Sequence, residues 1–173
     1  VRAGGAARSA LDSSPRMVGL TATTASVDAA AGVAAMVKQV SPSVVTVLGG
    51  PHATLLPRET LERYPCFDLL VVGEGEVTAV ELAESLIGGS GAEQGIRGLA
   101  FRKEGSVCLT GPRPLVDDLD TLPLPAWDLL PDLKRHYRQS LARSHTRHSV
   151  GLVTSRGCSG KCNFCARAVF GNR

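Results

Sequence analysis

From Met17 to about Ser90 the chain alternates short apolar runs with stretches of helical periodicity, and this alternation restricts the fold more than any other feature. Met17-Val-Gly-Leu-Thr-Ala22 is the first run. Val27 to Val40 follows, rich in alanine, with Val33, Met36, Val37 and Val40 spaced for one helical face. Pro42 ends that helix, and Val44-Val-Thr-Val-Leu48 is a strand stopped by Gly49-Gly50-Pro51. Pro57 to Tyr64 predicts a short helix opened by proline. Asp68 to Val72 is a third strand, ended by Gly73-Glu-Gly-Glu76. Val77 to Ile87 is a helix with Val80, Ala83, Leu86 and Ile87 on one side and Gly88-Gly89 at its end. Such repetition predicts parallel strands joined by right-handed crossovers. The strands are almost continuously apolar because helices cover both sheet faces. The fold class is therefore α/β, a doubly wound parallel sheet. Three strands make a small sheet, so one or two more are expected upstream of Val1.

The alternation stops after Ser90. Leu99 to Arg102 and Val107 to Thr110 flank Lys103-Glu-Gly-Ser106, a hairpin pattern with glycine in the turn. Pro112 to Pro131 holds five of the ten prolines, together with Asp117, Asp118 and Asp120, and is an extended, stiff linker. Trp127 within it is expected to be a packing anchor. A short helix is expected within Leu129 to Leu141, and Val150-Gly-Leu-Val-Thr154 is another buried-type strand.

Charge divides the chain at the same place. Residues 1–132 carry all 16 acids and ten of the 19 bases, whereas residues 133–173 carry nine bases and no acid. A basic tail suggests a nucleic-acid arm, but His136, His145 and His148 with their arginines lack the interleaved aromatics that stack bases. Nucleic acid is therefore not an expected partner. Hydrophobic residues at 43% exclude a disordered chain. No apolar run approaches the roughly 18–20 residues of a membrane span, and no secretory signal is visible at the start. Five cysteines at low density argue against a disulfide scaffold and for a reducing, cytoplasmic setting.

Chemistry concentrates in Cys158-Ser-Gly-Lys-Cys162-Asn-Phe-Cys165. Three thiolates at spacings of four and three can converge from one loop, and soft sulfur suits zinc or an iron–sulfur cluster. A closed zinc site wants four protein ligands, which here would mean borrowing His145, His148 or Cys108. Three cysteines on a [4Fe–4S] cluster instead leave one iron open to a small molecule. Arg156, Lys161 and Arg167 would favour the thiolate forms. Cys66 and Cys108 are expected to pack as small apolar residues.

A second candidate site follows from the sheet. In open parallel sheets ligands lie beyond the carboxyl ends of the strands, here Thr21-Ala-Thr23-Thr24, Gly49-Gly50-Pro51-His52 and Gly73-Glu74-Gly75-Glu76. Glycines admit close backbone approach and hydroxyls can bond amides or a nucleotide tail; ordinary βα turns favour the same residues. Gly73-Glu74-Gly75 is not a dinucleotide fingerprint, since it lacks the third glycine and follows the wrong strand.

The string Leu152-Val-Thr-Ser-Arg-Gly-Cys-Ser-Gly-Lys-Cys-Asn-Phe-Cys165 resembles the cluster loop of radical S-adenosylmethionine enzymes. Val47-Leu-Gly-Gly-Pro-His-Ala-Thr54, Val71-Val-Gly-Glu-Gly-Glu76 and the Leu119–Pro131 linker resemble the cobalamin-binding domain and connector that precede the radical barrel in one large subgroup. The resemblance, over about Met17 to Gly171, implies a partial cobalamin domain in residues 1–95, with a flavodoxin-like doubly wound sheet. It also implies a hairpin and linker in 96–148, and the first strand and cluster loop of a β/α barrel in 149–173. It implies that Cys158, Cys162 and Cys165 ligate a [4Fe–4S] cluster whose open iron chelates S-adenosylmethionine, with Phe164 near the adenine. Reductive cleavage then yields a 5′-deoxyadenosyl radical that attacks an unactivated carbon of a small-molecule substrate. An electron donor such as flavodoxin or ferredoxin is implied as well. Thr21, Thr23, Gly49, Gly50, Pro51, His52, Gly73, Glu74 and Gly75 would line the cobalamin. The Asp-x-His-x-x-Gly loop of many cobalamin domains is absent, and His52 is expected to be a loop or nucleotide-tail residue, not a cobalt ligand. The reaction expected of the parent enzyme is methylation or rearrangement, and the chain alone is expected to be a truncated, inactive piece. A methylthiotransferase, which needs three further cysteines in its first domain, and a zinc-bearing nucleic-acid module are the alternatives.

Overall fold

The computed structural model describes residues 3–89, 93–130, 155–160 and 162–165. The helix expected in 129–141, the strand expected in 150–154, and His136, His145, His148, Lys161 and Arg167 lie outside the described residues. The chain divides into a larger unit, Val1–Leu115 with Gly157–Arg173, and a smaller one, Val116–Arg156.

The larger unit is built on one five-stranded sheet in sequential order: β1 (Met17–Thr21), β2 (Val45–Gly49), β3 (Leu69–Val71), β4 (Leu99–Lys103) and β5 (Ser106–Leu109). Strands β1, β2 and β3 are parallel, with Thr21 opposite Gly49 and Leu48 opposite Leu70. Their carboxyl ends therefore share one edge. Strand β4 runs antiparallel to β3, and β5 antiparallel to β4. The Leu99–Leu109 hairpin, placed by its sequence in the connecting segment, is thus the far side of the same sheet. Its turn has positive φ at both central residues, Glu104 (51°) and Gly105 (78°), the twist that suits a two-residue hairpin.

Helices α1 (Ala3–Leu11), α2 (Val27–Val40), α3 (Pro51–Leu55), α4 (Pro57–Arg63) and α5 (Glu76–Gly88) complete the unit. On one face α2 and α4 join Leu48, Phe67, Leu70 and Ala100 in a single core, in which Phe67, Leu48, Leu61 and Leu70 are fully buried. On the other face Leu82 of α5 meets Val47, Leu69, Val71, Ile96 and Leu99. Ala7 of α1 packs with Val18, Val37 and Val44, backed by Val33 and Met36. Both faces are covered, so the sheet is doubly wound.

Two helical faces differ from expectation. In α2 the sheet side is carried by Ala30, Ala31 and Ala34, while Val33 and Met36 turn toward α1 and Val40 is 69% exposed. Small residues let a helix lie close to a sheet, so the alanines form the contact face. In α5 Val80 and Ile87 are 57% and 71% exposed, and Thr78 and Leu82 face inward. The Thr78 hydroxyl donates to the Arg97 carbonyl, which is why a polar residue can occupy that buried position.

Side-chain bonds close the lower, amino-terminal end of the parallel strands. Asp68 accepts from the Thr46 amide (2.8 Å) and hydroxyl (3.0 Å) and pairs with Lys38 at 2.5 Å. Arg102 of β4 donates to the carbonyls of Leu61, Tyr64 and Phe67, each at 2.9 Å, holding the end of α4. In the smaller unit, 3-10 turns form at Leu119–Thr121 and Trp127–Leu129. Trp127 is not an anchor there; it is among the exposed residues, with Leu124 and Leu129.

Candidate functional site

The carboxyl edge of β1, β2 and β3 gathers every residue singled out from the sheet. Thr21 ends β1, and the loop after it is tied internally: the Ser26 hydroxyl accepts from the Thr23 amide (3.0 Å) and meets the Thr23 hydroxyl at 3.2 Å. The amides of Ala22 and His52 link the loop to β2 and α3, through Gly49 O (3.4 Å) and Ala22 O (3.1 Å) respectively. Gly49 ends β2, Gly50 turns the chain, and Pro51 opens α3.

Glycine is required at Gly50. Its φ is +87°, and a Cβ there would collide with the Thr21 hydroxyl and stand 3.3 Å from the Ala22 carbonyl. Gly73, at φ +86°, is different: nothing lies within 4 Å of where its Cβ would be, so its backbone faces open space. Gly75 precedes α5, and a Cβ there would come within 3.2 Å of Val71 Cγ1. Glu74 is half-buried beside it. The result is a rim of bare backbone and hydroxyls, Thr21 and Thr23 being exposed, on a rigid parallel sheet. A large ligand rich in amides and hydroxyls fits such a surface, which offers backbone at close approach, hydroxyl donors and acceptors, and one carboxylate at Glu74.

His52 is built into this rim. The side chain is 6% exposed, and its Nδ1 lies 3.1 Å from the Thr24 hydroxyl. Thr54, two residues on, accepts the Gly73 N–H through its hydroxyl at 3.1 Å. Thr24 and Thr54 fall within the strings marked in the sequence, yet neither is among the residues expected to line the ligand. A readable signal existed: Gly-Pro-x-x-x is a helix opening, and a helix at Pro51 puts His52 and Thr54 between the two neighbouring loops.

The cysteine loop is described from Ser155 to Gly160 and from Cys162 to Cys165. Its three cysteines are free and exposed. Gly157 takes φ +90°. The Gly160 amide donates to Cys158 Sγ at 3.4 Å, and a Cβ on Gly160 would stand 3.3 Å from that sulfur and 3.8 Å from Cys162 Sγ. The space between two sulfurs is thus kept open by a missing side chain. The Cys165 amide bonds the Cys162 carbonyl at 3.2 Å, turning the third thiol back along the loop. Among the described residues no three His, Cys, Asp or Glu groups are gathered closely enough to hold an ion, so the sulfurs are neighbours rather than a closed set. Accessible thiols from one loop, once drawn together, suit a cluster carried on sulfur alone. Phe164 is 93% exposed. Cys66 stands apart in the sheet unit, where burial raises its thiol pKa, and it belongs to no ligand group.

Comparison with known proteins bears on both places. Residues 5–83 match the B12 binding domain family. An uncharacterised methyltransferase of Pyrococcus horikoshii is 39% identical over 161 residues, covering 92% of this chain and 33% of that protein. The anaerobic magnesium-protoporphyrin IX monomethyl ester cyclase of Cereibacter sphaeroides is 32% identical over 158 residues, covering 90% of this chain and 25% of that one. Among solved structures, the radical S-adenosylmethionine methyltransferase TsrM from Kitasatospora setae shares the fold at TM-score 0.66 and 19% identity, over 99% of this chain and 34% of its own. A second TsrM structure, with cobalamin and a [4Fe-4S] cluster bound, superposes at TM-score 0.62 and 22% identity. The chain spans about a quarter to a third of the length of these relatives.

Proposed function

Because this chain is a cobalamin-binding-domain protein of the radical S-adenosylmethionine group, with its B12 binding domain in residues 5–83, we propose that the carboxyl edge of the sheet holds cobalamin and the cysteine loop a [4Fe–4S] cluster. The observation that carries this reading is the joint occurrence of the open glycine–threonine rim and the three exposed thiols of Cys158, Cys162 and Cys165. Thr21, Thr23, Gly49, Gly50, Pro51, Gly73, Glu74 and Gly75 present the rim to the cofactor. Cys158, Cys162 and Cys165 supply three ligands, leaving one iron for S-adenosylmethionine, with Phe164 standing free to meet its adenine. Bound together, these cofactors supply one-electron chemistry at unactivated carbon and a carrier for a methyl group. The chain's own part is positional: the rim presents backbone from three strand ends, and Gly160 keeps the sulfurs accessible.

The parent activity is methylation or rearrangement of an unactivated carbon in a small molecule, with a flavodoxin or ferredoxin as electron donor, in the cytoplasm. Among the described residues no helix is long and apolar enough to cross a membrane.

Anaerobic reconstitution of the chain with iron, sulfide and hydroxocobalamin tests the reading. We expect about four irons, about four sulfides and one cobalamin per chain. One tightly held zinc with no sulfide, and no cobalamin, would overturn it.

A further inference from the structure

We propose that α3 is a staple that sets the shape of the cofactor rim before any ligand arrives, with Thr24 and Thr54 as its positioning residues. The inference rests on the cobalamin reading of the rim and adds how its affinity is produced. Three loops form the rim, one after each parallel strand, and loops of this kind move independently unless something ties them. Helix α3 ties all three. Its Ala53 is fully buried in the core, which fixes the helix to the sheet. To one side, the His52 amide reaches the Ala22 carbonyl (3.1 Å) and the His52 ring reaches the Thr24 hydroxyl (3.1 Å). To the other side, the Thr54 hydroxyl accepts the Gly73 N–H (3.1 Å). Gly50, with its positive φ and its close approach to Thr21, lets the helix begin hard against the end of β1.

The Gly73 bond is the informative one. Gly73 has open space where a side chain would be and a backbone shape that few residues adopt, so no side-chain packing of its own holds it. An amide fixed by Thr54 restrains the Val72–Gly73 peptide and so the path of the loop that leads to Gly75, where α5 takes over through the Ala79–Gly75 bond (2.7 Å). A loop ordered in advance does not lose that freedom on binding, and the cofactor meets a surface already formed. Neither threonine needs to touch the cofactor for this. His52 likewise works through its neighbour, since its ring is buried and directed at Thr24.

Thr24 and Thr54 can be changed without disturbing the core, being exposed and half-buried. Thr54→Val and Thr24→Val each remove one bond while keeping the side-chain shape; Thr54→Ser and Thr24→Ser restore the hydroxyl. Hydroxocobalamin is titrated into the full chain, and amide hydrogen exchange is measured without ligand. Each valine variant should bind about tenfold more weakly, as expected where roughly one hydrogen bond's worth of order is lost, and each serine variant should bind as wild type. Exchange at Gly73 should quicken in Thr54→Val and not in Thr24→Val. Equal affinity of wild type and both valine variants, or serine variants as weak as valine, would overturn the staple. A wild-type chain that takes up no hydroxocobalamin would instead overturn the cofactor reading, while slow Gly73 exchange lost in Thr54→Val would still uphold the stapled rim.

Discussion

Gly98 shows how a single residue can hold a junction together. It sits at φ +78°, where a Cβ would stand 3.0 Å from the Thr78 hydroxyl and 3.1 Å from the Val72 carbonyl. The Thr78 hydroxyl is already committed, donating to the Arg97 carbonyl and accepting from Arg113 Nε at 2.7 Å, so it has nowhere to go. Gly98→Ala should therefore cost about 2 kcal/mol, the range for a non-glycine forced into left-handed backbone, and urea denaturation should show it. A wild-type midpoint would mean that the junction relaxes freely. Tyr64 is a second case. Its phenol pKa is raised from near 10, chiefly by the hydrogen bond to Asp28 (2.6 Å), although Arg63 opposes the shift. A raised folded value means that this bond's contribution is fully present below pH ~10 and fades as pH rises through Tyr64's own titration. Phenolate absorbance should place Tyr64 above an ordinary tyrosine, and Asp28→Asn should bring it down. An unshifted titration in both would contradict the bond.

Among the elements, the strands were the most legible part of the sequence, because β-branched runs between glycines and prolines have few other uses. Helix faces were harder to read. In α2 the valines marked a face, yet the alanines carry the sheet contact, since periodicity weights large residues and close packing favours small ones. Helix α3 escaped because five residues give no period, and α1 because Ala-Gly-Gly-Ala lacks an apolar stripe until Met36 of α2 closes over Gly4. The Lys103–Ser106 turn was readable, but not that its hairpin joins the sheet; strand pairing is non-local and leaves no mark in a window. Its pairing with β3 makes it so, and Arg102 reinforces that pairing from the side of α4. Replacing Arg102 with methionine removes a cation bonded to the carbonyls of Leu61, Tyr64 and Phe67. Hydrogen bonds to a charged group contribute about 1.5–3 kcal/mol, so Arg102→Met should lower stability by about 2 kcal/mol in a chemical denaturation. A smaller change than half that value would show that the β3–β4 ladder and its core contacts hold the hairpin without Arg102.

For the whole molecule, the two candidate sites were legible to different depths. The cysteine spacing and the glycine–threonine strand ends both mark their candidate sites through residue type alone. The bonds that shape the rim, from His52 to Thr24 and from Thr54 to Gly73, join residues 28 and 19 apart in the chain and required the fold. Folding and cluster loading should also be separable. The core clusters draw on residues between Ala7 and Val107, with no member from the cysteine loop. A triple variant, Cys158→Ser with Cys162→Ser and Cys165→Ser, should therefore lose all iron on reconstitution yet keep the wild-type urea midpoint and its uptake of hydroxocobalamin. An unfolding free energy lowered by more than about 1 kcal/mol would show that the loop supports the sheet, as metal loops do in domains that fold only when loaded. The antiparallel hairpin has one more effect, which concerns parity. A chain leaving a parallel sheet after one reversed strand would exit at the foot of the sheet, far from the ligand edge. Strand β5 adds a second reversal. The path returns upward until the Gly111 carbonyl accepts from the Gly98 amide (3.0 Å), itself joined to Val72 at the top of β3. Two reversals deliver the departing backbone to the same edge as the three glycine-rich strand ends.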